Sequence, residues 1–177
     1  NRSGSGVRRR LGRLADVRTV LGPVSERLSN ELRTTETNAR LFATSPFVSR
    51  YLLATDADIK YSMMEPGLLE FLDTYQRGFK NYEAIELRKL DGALDTRTTG
   101  TEVQLQTDAA AAALARSLAT DTAGSGFRIV QIGASAPRLL VGVPIELKDA
   151  RVSLAAGAKR QGVLIIIVDL NFVGPIL

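Results

Sequence analysis

The sequence contains no cysteine, no histidine and no tryptophan. Disulfide scaffolds, zinc sites built on thiolates or imidazoles, and every triad that uses an imidazole or thiol are therefore excluded. No run approaches the roughly 18 apolar residues that a membrane-crossing helix requires. Motifs of phosphate chemistry are also missing: neither G-x-x-x-x-G-K-[ST] nor G-x-G-x-x-G occurs, and Gly124-Ser-Gly126 precedes a strand pattern, the wrong context for a phosphate cradle.

What is present is enough for one domain. The 177 residues are 45% hydrophobic and 24% charged, close to globular averages. The net charge of +4 and pI near 9.7 suggest a nucleic-acid binder until the charge is located. Arg2, Arg8, Arg9, Arg10 and Arg13 stand in a first stretch without acids, and the rest holds 18 basic and 19 acidic residues, a charge of −1. The body is thus nearly neutral, and no nucleic-acid partner is expected.

Residues 1–6 read as a disordered or tag-derived stub, 7–45 as a long helix, and 46–177 as the folded module. On the helix, Leu14, Val17, Leu21, Val24 and Leu28 alternate spacings of three and four, the seam of a heptad repeat and a candidate dimer contact. Gly22-Pro23 interrupts the run and predicts a kink or a new start. Further helices are expected after Ser45-Pro46 and Glu65-Pro66, the latter with Leu68, Leu69, Leu72, Tyr75 and Phe79 on one face. Tyr82–Leu90 alternates as a strand. Asp91-Gly92 then predicts a tight hairpin with both central residues at positive φ, returning through Ala93–Arg97. Thr107-Asp108 is expected to open an alanine-rich helix over 109–119. Strands are expected at 127–135, 138–147 and 162–170, the last apolar on both faces and so covered on both sides. The class is α+β: a long N-terminal helix packed on a roughly five-stranded antiparallel sheet, with short helices on the other face.

Little in this pattern supports catalysis. Gly133-Ala-Ser135-Ala-Pro137 lacks the second glycine of a nucleophile elbow, a strand follows it, and no base is at hand. Asp56-Ala-Asp58 reads as a solvated acidic turn rather than a calcium loop. No metal and no cofactor is expected, and no carboxylate pair has a spacing that marks it for acid–base work. The informative polar residues lie on half-buried strands: Glu86, Arg88 and Arg97, with Tyr75, Tyr82, Arg88, Arg128 and Gln131 as candidate ligand-binding residues. An arginine between sheet and helices would grip a carboxylate with two hydrogen bonds, and a tyrosine would stack and donate one. The plainer reading has each arginine at the surface or paired with Glu83 or Glu86.

Four stretches carry a family resemblance: LFATSPFVSRYLL, YEAIELRKLDGALDTR, RLLVGVPIEL and RQGVLIIIVDLNFVGPIL. In this order the chain resembles the extracytoplasmic Cache (PAS-like) sensor domains of bacterial transmembrane receptors. These precede histidine kinase, diguanylate cyclase or chemoreceptor modules. The Tyr, Arg, Trp and Asp pattern of the amino-acid-binding double-Cache group is not seen, so no ligand is carried over. The resemblance implies a non-enzymatic periplasmic segment of an inner-membrane protein, cut from between two membrane spans. It also implies a homodimer and a small-molecule ligand; the candidate arginines suit a carboxylate. The alternative from another class is a ligand-free dimerisation or protein-interaction module; a stand-alone cytoplasmic protein is a third.

Overall fold

A computed structural model of the chain describes residues 4–98, 101–147 and 159–173, with side chains described for 22–98, 106–147 and 159–172. The chain divides into two units, Asn1–Thr34 and Thr35–Leu177. Helix α1 spans Gly4–Ala43 and continues through Pro23 without a break, so no new helix starts there. Pro23 has no N–H to offer the carbonyl one turn earlier, and the helix accommodates that one missing bond. In the seam, Val24 and Leu28 are half-buried, while the side chains of Leu14, Val17 and Leu21 lie outside the described residues.

Within the second unit, Ser45 caps α2 (Pro46–Leu53): its Oγ accepts from the Phe47 N–H, and Pro46 takes the first helical position, where its missing N–H costs nothing. Asp56 caps the short α3 (Ala57–Ile59) by accepting from Asp58 and Ile59, so this acidic turn has a local backbone role. A π-helical turn, Lys60–Met64, joins α3 to α4 (Glu65–Gly78). The helical run thus begins eight residues before the Glu65-Pro66 start expected from sequence.

The sheet contains β1 (Tyr82–Arg88), β2 (Leu94–Arg97), β3 (Gly126–Val130), β4 (Arg138–Leu147) and β5 (Lys159–Asp169), in the order β2-β1-β5-β4-β3, antiparallel throughout. Val163 to Val168 are all buried, as an apolar run on a central strand requires. Alternation assigns the faces. Ala84, Leu140, Val163, Ile165 and Ile167 pack with Ala111, Leu114, Ala115 and Leu118 of α5 (Thr101–Thr120). On the opposite face, Leu52 of α2 reaches the backbone at Gly162, and α4 lies along β1. The end of α1 joins this second layer through Phe42, whose ring meets Phe71 and Tyr75 of α4 at 6.3 and 4.7 Å. The α+β class and the five antiparallel strands are as expected; the layering is not, because the short α2 and α4 share a face with the end of α1 and α5 holds the other.

Two local expectations are corrected. The β1–β2 hairpin is not a two-residue turn on Asp91-Gly92. Gly92 N–H donates to Lys89 O and Lys89 N–H to Ala93 O, and among the described residues no non-glycine has positive φ. Leu90 and Asp91 are therefore the turn's central residues, and Gly92, at φ 95°, is the left-handed residue of a bulge that follows. Helix α5 begins at Thr101, not at Thr107-Asp108. Glu102, Gln104, Leu105 and Gln106 are competent helix formers that extend it backwards. Thr107 is then an interior, buried residue, and Asp108 is free for a tertiary contact.

Candidate functional site

Two polar clusters flank β2, and they differ in kind. The first lies beneath α5. Arg88 donates from Nε to Glu86 Oε2 at 2.8 Å, from Nη1 to Gly92 O at 3.0 Å, and from Nη2 to Asp108 Oδ1 at 2.8 Å. Arg97 Nε lies 3.7 Å from the other Glu86 oxygen. Desolvation pulls the Arg88 guanidinium down, but its ion pairs with Glu86 and Asp108 outweigh that and hold it above its ordinary value. For Arg97 desolvation wins, and its affinity for the proton falls below the ordinary value. This cluster joins strand, hairpin turn and helix, and every Arg88 nitrogen is engaged by the protein itself.

The second cluster centres on Asp95 of β2, the edge strand facing the helical layer. Asp95 Oδ1 accepts from the Tyr51 hydroxyl of α2 at 2.9 Å and from the Tyr61 hydroxyl of the π turn at 3.1 Å. Lys60 Nζ donates to Oδ2 at 3.0 Å. The same ammonium stands 4.5 Å from the centroid of the Tyr51 ring and 5.5 Å from that of Tyr61. The two rings meet edge to face, at 6.2 Å and 76°. The neighbouring Thr96 donates to Glu65 Oε1 at 2.7 Å. The Asp95 side chain is only 3% exposed. Three donors converge on this buried carboxylate and satisfy its oxygens. Chemically, the arrangement is a cation site: one buried carboxylate and two aromatic walls.

Burial, and then the bond to Asp95, raises the Tyr51 phenol well above its ordinary value; for Tyr61 the bond to Asp95 is the main cause. The folded form therefore holds these protons more tightly than the unfolded chain, whose tyrosines ionise near about pH 10. Stability from this source is complete below that pH and falls as pH rises through it. The drop in urea midpoint between about pH 8.5 and 10.5 should be smaller in Tyr51→Phe than in the wild type. An equal drop in both would show that Tyr51 carries no such linkage.

The residues expected from sequence do not converge. Tyr75 stacks in the aromatic layer with Phe42 and Phe71. Tyr82 is buried, receives a bond from Asn38, donates to Thr35, and stacks on Phe79. Arg88 belongs to the cluster under α5. Arg128 is exposed and bonds the Phe127 carbonyl. Strand β3 ends at Val130, so Gln131 stands in the following turn, donating to Gly133 O and Ser135 O. The plainer reading, in which an arginine pairs with Glu83 or Glu86, describes Arg88 and Arg97, both of which meet Glu86. Sequence reading missed Tyr51, Lys60, Tyr61 and Asp95, for which the only local signal was the clustering of two tyrosines and a lysine around Asp56-Ala-Asp58.

No protein-family model matches the chain, and no curated protein sequence does. Solved structures share its fold. One is the extracellular domain of a protein assigned as a histidine kinase, vpHK1S-Z8, with a TM-score of 0.59 and 16% identity over 90% of this chain and 59% of that one. Another is a domain of a protein assigned to the sensory box/GGDEF family, from Vibrio parahaemolyticus, with a TM-score of 0.60 and 16% identity over 90% of this chain and 61% of that one. The chain thus spans about three fifths of the length of each. Among the described residues no helix is long and apolar enough to cross a membrane.

Proposed function

We propose that this chain is the extracytoplasmic ligand-sensing domain of a membrane signal-transduction receptor, with no catalytic activity of its own, and that it relays small-molecule binding through movement of α1 in a dimer. The observation that carries the reading is the Asp95 cluster: a nearly inaccessible carboxylate met by two tyrosines and a lysine between sheet and helices, in a fold shared with an extracellular domain. The route from this cluster to α1 is short. Lys60 and Tyr61 begin the π turn that runs directly into α4, and α4 meets Phe42 of α1 through Phe71 and Tyr75. A ligand moves such an element only by binding one arrangement better than the other.

A thermal-shift screen of carboxylates, amino acids, amines and related metabolites tests the reading. A compound should raise the melting temperature of the wild type and lose that effect in Asp95→Asn. If nothing shifts the transition, or if every hit ignores Asp95, ligand sensing at this site falls.

The dimer is tested on the seam. Leu21→Asp with Leu28→Asp should convert any dimer seen by light scattering to monomer, since two buried charges in a heptad seam cost more than a weak interface supplies. Unchanged association would place the contact elsewhere. A second reading, a ligand-free interaction module, draws support from a different surface: Leu41, Phe47 and Tyr75 are exposed around the Phe42–Phe71 aromatic layer. In that case Phe47→Ser and Leu41→Ser would weaken association while Asp95→Asn would not.

A further inference from the structure

We infer that the Asp95 site is an organic-ammonium site which the protein keeps closed with its own Lys60, so that an external amine or quaternary ammonium competes with a tethered internal one. The inference rests on the sensing reading above and adds the ligand class and the means of regulation.

Four observations carry it. First, the groups around Lys60 Nζ form a complete recognition set for a cation, a carboxylate oxygen at 3.0 Å and two tyrosine faces at 4.5 and 5.5 Å. A plain surface salt bridge needs no aromatic walls, whereas such walls are how alkylammonium groups are held when water is excluded. Second, the walls are themselves fixed by the same carboxylate, because both hydroxyls donate to Asp95 Oδ1. The box therefore does not depend on Lys60 for its shape. Third, Lys60 is the first residue of the π turn, and the Glu65 N–H reaches back to the Lys60 carbonyl. A π turn holds one residue more than the α-helix around it and persists where function uses it. Releasing Lys60 would let this turn relax towards α geometry, rotating the start of α4. Fourth, the box has a wet side: Tyr61 is 43% exposed and the Lys60 side chain is 16% exposed. A small cation has a path to the carboxylate once Lys60 withdraws.

The internal competitor sets the affinity. A ligand that binds only the opened site binds more weakly by the fraction of time the site is open. Deleting the lysine side chain beyond its β-carbon removes three carbons and the ammonium, the size of n-propylammonium. Lys60→Ala should therefore bind n-propylammonium chloride, read as a rise in melting temperature against matched sodium chloride, at a concentration about tenfold or more below that which acts on the wild type. n-Propanol should not substitute for it. The double variant Lys60→Ala with Asp95→Asn should lose the response. Should Lys60→Ala fold poorly alone, the refolded yield with and without n-propylammonium becomes the readout, and recovery by the ammonium carries the same meaning.

The inference is overturned if Lys60→Ala responds to n-propylammonium no better than the wild type, or if the response survives loss of Asp95. A neutral or anionic compound that stabilises the wild type through Asp95, with no gain from Lys60→Ala, overturns it while leaving the sensing reading in place. No response from any compound in either protein overturns both.

Discussion

Glu86→Leu is expected to destabilise the domain by about 3–5 kcal/mol. Glu86 is wholly buried, and it is the counter-ion of two guanidiniums, Arg88 at 2.8 Å and Arg97 at 3.7 Å. Removing it leaves Asp108, which is half-exposed, to balance both. Arg97 then keeps only the more distant carboxylates of Asp108 and Glu83, in a position where desolvation already weakens its charged form. Leu is close to Glu in size, so the cost comes from the stranded charges and not from packing. The check follows from that distinction. Glu86→Leu with Arg97→Leu should recover part of the loss in urea unfolding, because neutralising both ends of a buried pair is far cheaper than neutralising one. If the double variant is as unstable as the sum of the singles, the cluster does not act as a charge-balanced unit.

The same cluster marks how far the sequence could be read. Alternation along Ala84, Glu86 and Arg88 assigns those three side chains to one face, and the Asp-Gly pair places the turn after them. Neither says which helix covers that face. Asp108 arrives from a helix twenty residues on, whose start the Thr-Asp pair misplaced: a threonine followed by an acid resembles a cap wherever it occurs, and only the tertiary ion pair with Arg88 shows that this acid lies within the helix. The central strand was legible because a both-sides-buried run such as Val163–Val168 has no other reading. The Asp95 site was not, for two physical reasons. Strand β2 is four residues long and lies at the sheet's edge, too short for a period-two pattern to define a face. The π turn shifts Lys60 and Tyr61 off the 3.6-residue repeat by which helical faces are recognised. Candidate residues chosen for being polar on strands, such as Arg128 on the other edge strand, point to solvent because β3 has a neighbour on one side only.

The second large effect belongs to the opposite end of α5. Leu114→Ala is expected to cost about 2–5 kcal/mol, since its side chain is 1% exposed and removing it leaves a cavity between helix and sheet. Part of that cavity has an identifiable remedy. A Cβ added to Gly142 of β4 would lie 2.9 Å from the Leu118 Cδ1, closer than such atoms tolerate, and 3.2 Å from the Leu114 Cδ2, a contact that requires the leucine to give way. Gly142 is a notch into which Leu114 and Leu118 of the alanine-rich helix descend, and the small side chains beside them allow α5 to lie that close. Gly142→Ala alone should therefore destabilise by about 1–3 kcal/mol through overpacking. With Leu114→Ala, the added methyl meets the space the leucine left, and only its contact with the movable end of Leu118 remains. The double variant should be more stable than the sum of the two singles by about 1 kcal/mol or more, measured as a coupling energy in denaturant unfolding. Strict additivity would mean that Leu118, and not Leu114, occupies the notch, and the same cycle run with Leu118→Ala would then show the coupling instead.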